Sequence, residues 1–414
     1  MKKIYADLRK RYPQAQLVGA SFNDVARELL LIKKDLPVVT SEIGDTWIFG
    51  YGGAPIRMAK FRAVSRLYSQ WLNEGKIKKD SDVALDFAAE LGLIAEHTQG
   101  VDVKTHLRQW DKYDMDKFLK GRSEGIFSMA EASWKEIDNY IDSAIAFLPA
   151  SLQKEAREVV AEVDKVKLED NSKMKPIAGG MMLAGLSYQM FDGDDYDDFQ
   201  NRYLRARYGW ALDDLGKRGL KESHAVSVTL YAQTMAQSVR KEKKGTRIIT
   251  ELRFPENEKV DKRVYPERIQ VNCFTTKNGK RSEVALTIYG KPAVRLPESY
   301  WLSFTVPGIE SVIAEKMGER VNLMDVVEKG NRQMHGIDRY VDLITSGETI
   351  RISSKEAFLL NVGEAQGLNY STNYPDKRKG VHFNLNNNLW GTNFSMWNEG
   401  SLTYHFVIET LNRK

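Results

Sequence analysis

The apolar residues of this chain change period partway along it, and that change restricts the fold more than any short motif does. Between Pro55 and about Lys167 they recur every three or four residues, the spacing that places side chains on one face of an α-helix. Met58, Phe61, Val64, Leu67, Tyr68 and Trp71 form one stripe, opened by Pro55 and closed by Gly75. Asp82 caps a second helix that ends near Gly100, and a third is expected within residues 104–120. Ser128 and Glu131 read as a capping box for a fourth, and a fifth opens at Ser151. After about Asp170 apolar and polar residues alternate, as in Ile269, Val271 and Cys273, in Tyr300, Leu302 and Phe304, and in Leu402, Tyr404 and Phe406. That is the pattern of strands with one buried face. The predicted fold class is multidomain α+β: an antiparallel helical bundle over residues 55–168 and a large antiparallel β-sandwich over 169–414.

The first fifty-four residues read differently, as a partial α/β domain over 1–54. Residues 16–20 and 36–40 are short apolar runs flanking a helix capped at Ser21 or Asn23, with Val25, Leu29 and Ile32 at helical spacing. Two parallel strands cannot make a sheet, so either later residues complete it or the chain begins partway through a domain. Composition narrows the function classes. The balance of 61 basic against 56 acidic residues leaves +5, too thin for a dedicated nucleic-acid binder. One cysteine, Cys273, excludes a disulfide framework, and no apolar run is long enough to span a membrane. No secretion signal opens the chain, because residues 4–9 are not an apolar core.

No Walker loop, dinucleotide fingerprint, zincin helix or nucleophile elbow is present. Three polar stretches remain as candidates. Glu42-Ile43-Gly44-Asp45-Thr46-Trp47 follows an expected strand end, where α/β folds place their sites. Glu42 and Asp45 could work as acid and base beside a Trp47 platform; equally, Asp45 could cap a helix and Trp47 fill a core. Glu96-His97-Thr98-Gln99-Gly100-Val101-Asp102, with His106 downstream, offers acid/base or hard-metal ligands, or else an ordinary helix end. His382-Phe383-Asn384-Leu385-Asn386-Asn387-Asn388-Leu389-Trp390-Gly391-Thr392-Asn393 carries five asparagines beside Trp390. Amides and aromatic faces of that kind bind sugars, and they also make asparagine-rich turns. The Asp192–Asp198 cluster reads as a solvated turn and helix start, Lys241 to Gly245 as a hairpin tip, and Cys273 as inert core.

An α/β unit, a helical bundle and a β-sandwich in that order resemble glycoside hydrolase family 38, the α-mannosidase type. Glu42-Ile43-Gly44-Asp45-Thr46-Trp47, Glu96-His97-Thr98 and Asn388-Leu389-Trp390-Gly391-Thr392-Asn393 carry the resemblance, which is closest to an uncharacterised bacterial branch. It implies that residues 1–54 are the C-terminal edge of a barrel and that His97 matches a zinc ligand of the bundle. It also implies that residues 380–394 reach toward the active site. Residues 1–35 contain no histidine, so the family's first carboxylate and His-x-Asp ligands have no counterpart, and Thr98 stands where the family has Asp. The expectation is a chain lacking the N-terminal part of the barrel, or a branch with other chemistry.

The resemblance implies a carbohydrate-active protein acting on or binding an oligosaccharide or polysaccharide. Glu42, Asp45 and His97 would be catalytic, with His97 a zinc ligand in a complete protein. Trp47, Asn388, Trp390 and Asn393 would be sugar contacts. A periplasmic or extracellular setting suits a full-length form. Two other readings stand beside it. A uronide lyase would pair His97 with Lys104 or Tyr51 with Arg57. A truncated glycan-binding module would do no chemistry.

Overall fold

The computed structural model describes residues 2–44, 47–169, 175–176, 182–205, 207–368 and 370–412. The backbone divides into two compact units, Met1–Ser41 and Glu42–Lys414. In the first, α1 (Lys2–Arg11) and α2 (Phe22–Leu31) are the helices. Ser21 caps α2 in a reciprocal box with Asp24, as the sequence suggests. The runs at 16–20 and 36–40 form no strand, and Val38 and Val39 are exposed. An apolar run becomes a strand only when a neighbour takes up its backbone hydrogen bonds, and this unit supplies none.

Among the described residues of the second unit, six α-helices precede the sheet: α3 (Pro55–Asn73), α4 (Asp82–Gly92), α5 (Val103–His106), α6 (Met115–Ser123), α7 (Ser128–Ala146) and α8 (Ala150–Asp164). Trp71, Phe87, Ile141, Ile145 and Leu152 close one core between them. Local details depart from the sequence reading. Ser81, not Asp82, accepts the capping bond of α4. The single helix expected in 104–120 is two, α5 and α6, with Asp102 capping the first. At α7 the box does not form: Phe127 is the cap residue and Glu131 instead accepts from Arg122 Nε at 2.7 Å. An arginine in reach competes better for a carboxylate than a backbone N–H does.

The strands are β1 (Lys175–Pro176), β2 (Met182–Met190), β3 (Val228–Glu242), β4 (Gly245–Arg253), β5 (Arg268–Thr276), β6 (Arg281–Lys291), β7 (Glu298–Phe304), β8 (Ser311–Lys316), β9 (Glu319–Asn322), β10 (Met334–Gly336), β11 (Tyr340–Ile344), β12 (Glu348–Ser354), β13 (Leu359–Val362), β14 (Val381–Asn387) and β15 (Gly400–Asn412). They hydrogen-bond in the order β10-β13-β14-β7-β2-β3-β4-β5-β6-β15-β12-β11-β8-β9, with β1 paired to β3. Every ladder between them is antiparallel. Leu186 of β2, Val312 of β8 and Ile352 of β12 are far apart in this order yet share one buried cluster. The sheet therefore folds over on itself around a single core, as in a sandwich. The α+β architecture expected from the two periods is the architecture present.

Between β2 and β3 lie α9 (Gly193–Tyr203) and α10 (Gly209–Asp214). Asp192 caps α9 through the N–H groups of Asp194 and Asp195, which gives the acidic cluster a structural role. Cys273 in β5 is half-buried rather than core, with Thr275 Oγ1 at 3.8 Å. No helix among the described residues is long and apolar enough to cross a membrane.

Candidate functional site

The turn Trp47–Gly53 joins the two layers of the second unit. Two of its glycines are required by close approach: a Cβ on Gly50 would enter the Phe394 ring, and one on Gly52 would strike Asn387 Nδ2. Asn387 Nδ2 donates to Phe49 O at 2.9 Å and to Asn384 Oδ1 at 2.7 Å, tying the turn to β14.

Around this turn the three polar stretches meet. The Trp47 and Tyr51 rings lie 5.2 and 5.8 Å from that of Phe394. The Tyr51 hydroxyl donates to Ala95 O at 2.8 Å and to Glu96 O at 3.3 Å. Asn393 Nδ2 donates to His97 O at 3.4 Å, and Val103 N–H to Thr392 O at 3.0 Å. Thr392 adopts φ 32°, a strained value for a β-branched residue. His97 is open to solvent, its side chain 76% exposed, with Nδ1 against Glu96 Oε1. Glu96 also accepts from Thr98 N–H at 2.7 Å. That bond, with His97 beside it, lowers the Glu96 carboxyl below its usual range.

Glu42 is positioned by backbone bonds on both sides: its N–H donates to Asp325 O at 2.9 Å and its carbonyl accepts from Val327 N–H at 2.8 Å. Its carboxylate pairs with Lys316 at the end of β8 and faces His335 Nδ1 at 3.4 Å. Burial alone would raise Glu42, but the bond to His335 and the charge of Lys316 prevail and hold it at about 2. His335 is fully buried and its Nε2 meets Arg332 O at 3.0 Å. A carbonyl cannot donate, so Nε2 carries a hydrogen. Nδ1 can then donate to Glu42 only as imidazolium, and burial opposes that charge. The pair is therefore one proton short when His335 is neutral, and can take one up or release it. β10, which carries His335, packs on the Trp47–Gly53 turn, where Ile48 abuts Gly336.

Other predicted positions are committed to the interior. Asn388 is 2% exposed; its Nδ2 donates to the carbonyls of Val294, Leu296 and Met396, and its Oδ1 accepts from Glu298 N–H. Trp390 is buried and stacks on Phe199. These two residues position the 391–394 loop from beneath. Asp45 lies outside the described residues. The lyase pairings are not assembled. Arg57 is buried, bonded to Asp138 at 2.6 Å, Trp134 O at 2.8 Å and Gln99 at 3.2 Å, while Lys104 is paired with Asp214. For zinc, His97 and Glu96 offer two donors, and among the described residues no three such side chains converge.

Sequence reasoning missed Lys316 and His335, which lie 274 and 293 residues from Glu42. His335 sits in a short mixed run, Gln333-Met334-His335-Gly336-Ile337, that carries no local signal. Two clefts also flank the helical layer: one of about 320 Å³ beside Arg57, Asp138, Trp134 and Glu399, and one of about 560 Å³ between α3, α8 and the β5–β6–β15 face.

An α+β chain whose helical layer and folded sheet are joined at a glycine-rich turn is the class that fold and site define. A family model described as a domain of unknown function, DUF5054, matches residues 52–180. Among solved structures, the chain is similar to an α-mannosidase from Enterococcus faecalis V583, at 7% identity and a TM-score of 0.32, over 55% of this chain and 26% of that one. It is also similar to a protein in the glycosyl hydrolase family 38 from Enterococcus faecalis, at 10% identity and a TM-score of 0.44, over 100% of this chain and 62% of that one. The chain thus spans about a quarter and somewhat under two thirds of those two proteins. Likenesses this distant say nothing about activity. No curated protein sequence matches.

Proposed function

We propose that the chain is a glycoside hydrolase-like, carbohydrate-active protein that engages a glycan where Trp47, Tyr51, His97 and Asn393 meet. The observation that carries this reading is the physical tie between three stretches distant in sequence, through Tyr51 to Ala95 and Asn393 to His97. Half-buried aromatic rings beside polar side chains suit the apolar face and hydroxyl rim of a sugar. Glu42, held ionised, is suited to act as base or to stabilise positive charge at the anomeric carbon; it is a poor acid. His335 is the partner that holds or passes the proton. Asp45 keeps its place as the second carboxylate, and His97 its place as a contact or metal donor. Asn388 and Trp390 serve as supports rather than as sugar contacts.

Glycan-array binding followed by titration calorimetry tests the reading, with reducing-sugar release as the assay of turnover. His97→Ala, at an exposed position, is expected to weaken glycan binding about tenfold, the loss of one good contact. Glu42→Gln is expected to abolish turnover while leaving binding. If both variants bind and turn over glycans as the parent does, the reading fails. An unsaturated product absorbing in the ultraviolet would make the protein a lyase instead, and binding with no turnover would make it a recognition module.

A further inference from the structure

Apart from that surface, a small cavity lies where residues 213–218, at the end of α10 and beyond, meet the turn at Trp110–Tyr113, the loop before β7 and Gly391. Its charged lining residues are Lys217, Arg218, Arg295 and Asp213, and its volume is about 20 Å³, enough for an occupant of about water size. Arg295 is 2% exposed. Its guanidinium lies over the Tyr113 ring at 4.1 Å and the Phe127 ring at 5.2 Å, and Nη1 donates weakly to Trp110 O at 3.4 Å. Its Nε is buried and has no hydrogen-bond partner among the described residues. Lys217 Nζ donates to Trp390 O at 3.1 Å. Arg218 lies over Trp110 at 5.0 Å.

Among the described residues none of these three cations forms an ion pair, and neither does Asp213. Two further acids nearby are engaged elsewhere, Asp214 by Lys104 and Asp111 by Lys112, which leaves Asp213 as one carboxylate against three cations in the lining. Cations in excess of the carboxylates around a cavity are costly to bury, and two that face one cavity also repel. Burial and the charge of Arg295 push Lys217 down to about 7. Rings beneath a guanidinium offset part of that cost, but they leave the Nε–H of Arg295 unsatisfied.

We propose that this cavity is a binding site for one small monovalent anion of chloride size, held between Arg295 and Lys217. The anion accepts from the orphaned Arg295 Nε–H and neutralises the excess charge. Size selects it: a sulfate or phosphate is too large for the space.

Chloride and bromide are the probes. Thermal unfolding of the full chain, in chloride against gluconate at constant ionic strength, is expected to show a saturable rise in midpoint with chloride and none with gluconate. A crystal grown in bromide is expected to show an anomalous peak between Arg295 and Lys217. Lys217→Met, at a half-buried position that tolerates an apolar chain, is expected to lose both signals while remaining folded; Arg295→Met is the second variant, and where it folds it too should lose both. A midpoint indifferent to halide, an equal response in parent and Lys217→Met, or no bromide peak in the cavity would each overturn the proposal. A larger response to sulfate than to chloride would also overturn it.

Discussion

His335 Nδ1 lies 3.4 Å from Glu42 Oε2, with the other ring nitrogen already engaged by Arg332 O at 3.0 Å. This contact makes the protonation of a buried imidazole depend on a carboxylate that Lys316 holds ionised.

Acid should therefore erode the stability of the protein over two overlapping pH ranges. His335 is depressed below its usual value by burial, so the unfolded chain binds more protons below about 6.5 and stability falls as pH drops. Glu42 is depressed to about 2, so its contribution is complete above about 4.5 and is lost as pH falls toward 2. The Glu42 share is at most about 3 kcal/mol, set against the desolvation that depresses Lys316. Denaturant midpoints from pH 7 to pH 3 should show His335→Gln flattening the limb that begins as pH falls below about 6.5. The flattening is partial, because burial also pushes His382 down to about 4.

Replacing Asn388 by Leu should cost about 2–4 kcal/mol, because four backbone groups lose their partner inside the core. Urea unfolding measures this. A loss under about 1 kcal/mol would mean that these groups find other partners.

The Arg57 guanidinium joins α3 to Asp138 and Trp134 of α7 and to Gln99. Arg57→Met should destabilise by about 2–4 kcal/mol, since the Gln99 and Trp134 acceptors are left buried. Adding Asp138→Asn should cost little more, because the two changes remove one shared interaction. A double-mutant cycle by chemical denaturation reads the coupling.

Gly52→Ala should lower the unfolding midpoint by about 1–3 kcal/mol equivalent, as the added methyl displaces Asn387 from the Phe49 carbonyl. Gly92→Ala is the control. It sits in the last turn of α4 with open space around it, and should stabilise by about 0.5–1 kcal/mol. Calorimetry of the two variants should move in opposite directions.

Much of the architecture was written in local pattern. The stripe from Met58 to Trp71 and the alternation around Ile269 and Leu402 each encode a face to be buried, and a periodicity needs only its own residues to be seen. The failures are of partner, not of pattern. Residues 36–40 have the composition of a strand, but no neighbouring strand in their unit. Ser128 and Glu131 have the spacing of a capping box, but Arg122 takes the carboxylate.

For the site, sequence alone singled out Glu42, His97, Trp47 and Asn393 by residue type and turn context. Tertiary structure decided what each one meets. It set Glu42 against Lys316 and His335, tied Asn393 to the backbone of His97, and consumed Asn388 in four backbone bonds. Burial and charge pairing depend on contacts between residues hundreds of positions apart. No local spacing carries that information, and so the same asparagine reads equally as a sugar ligand or as a strut until the chain is folded.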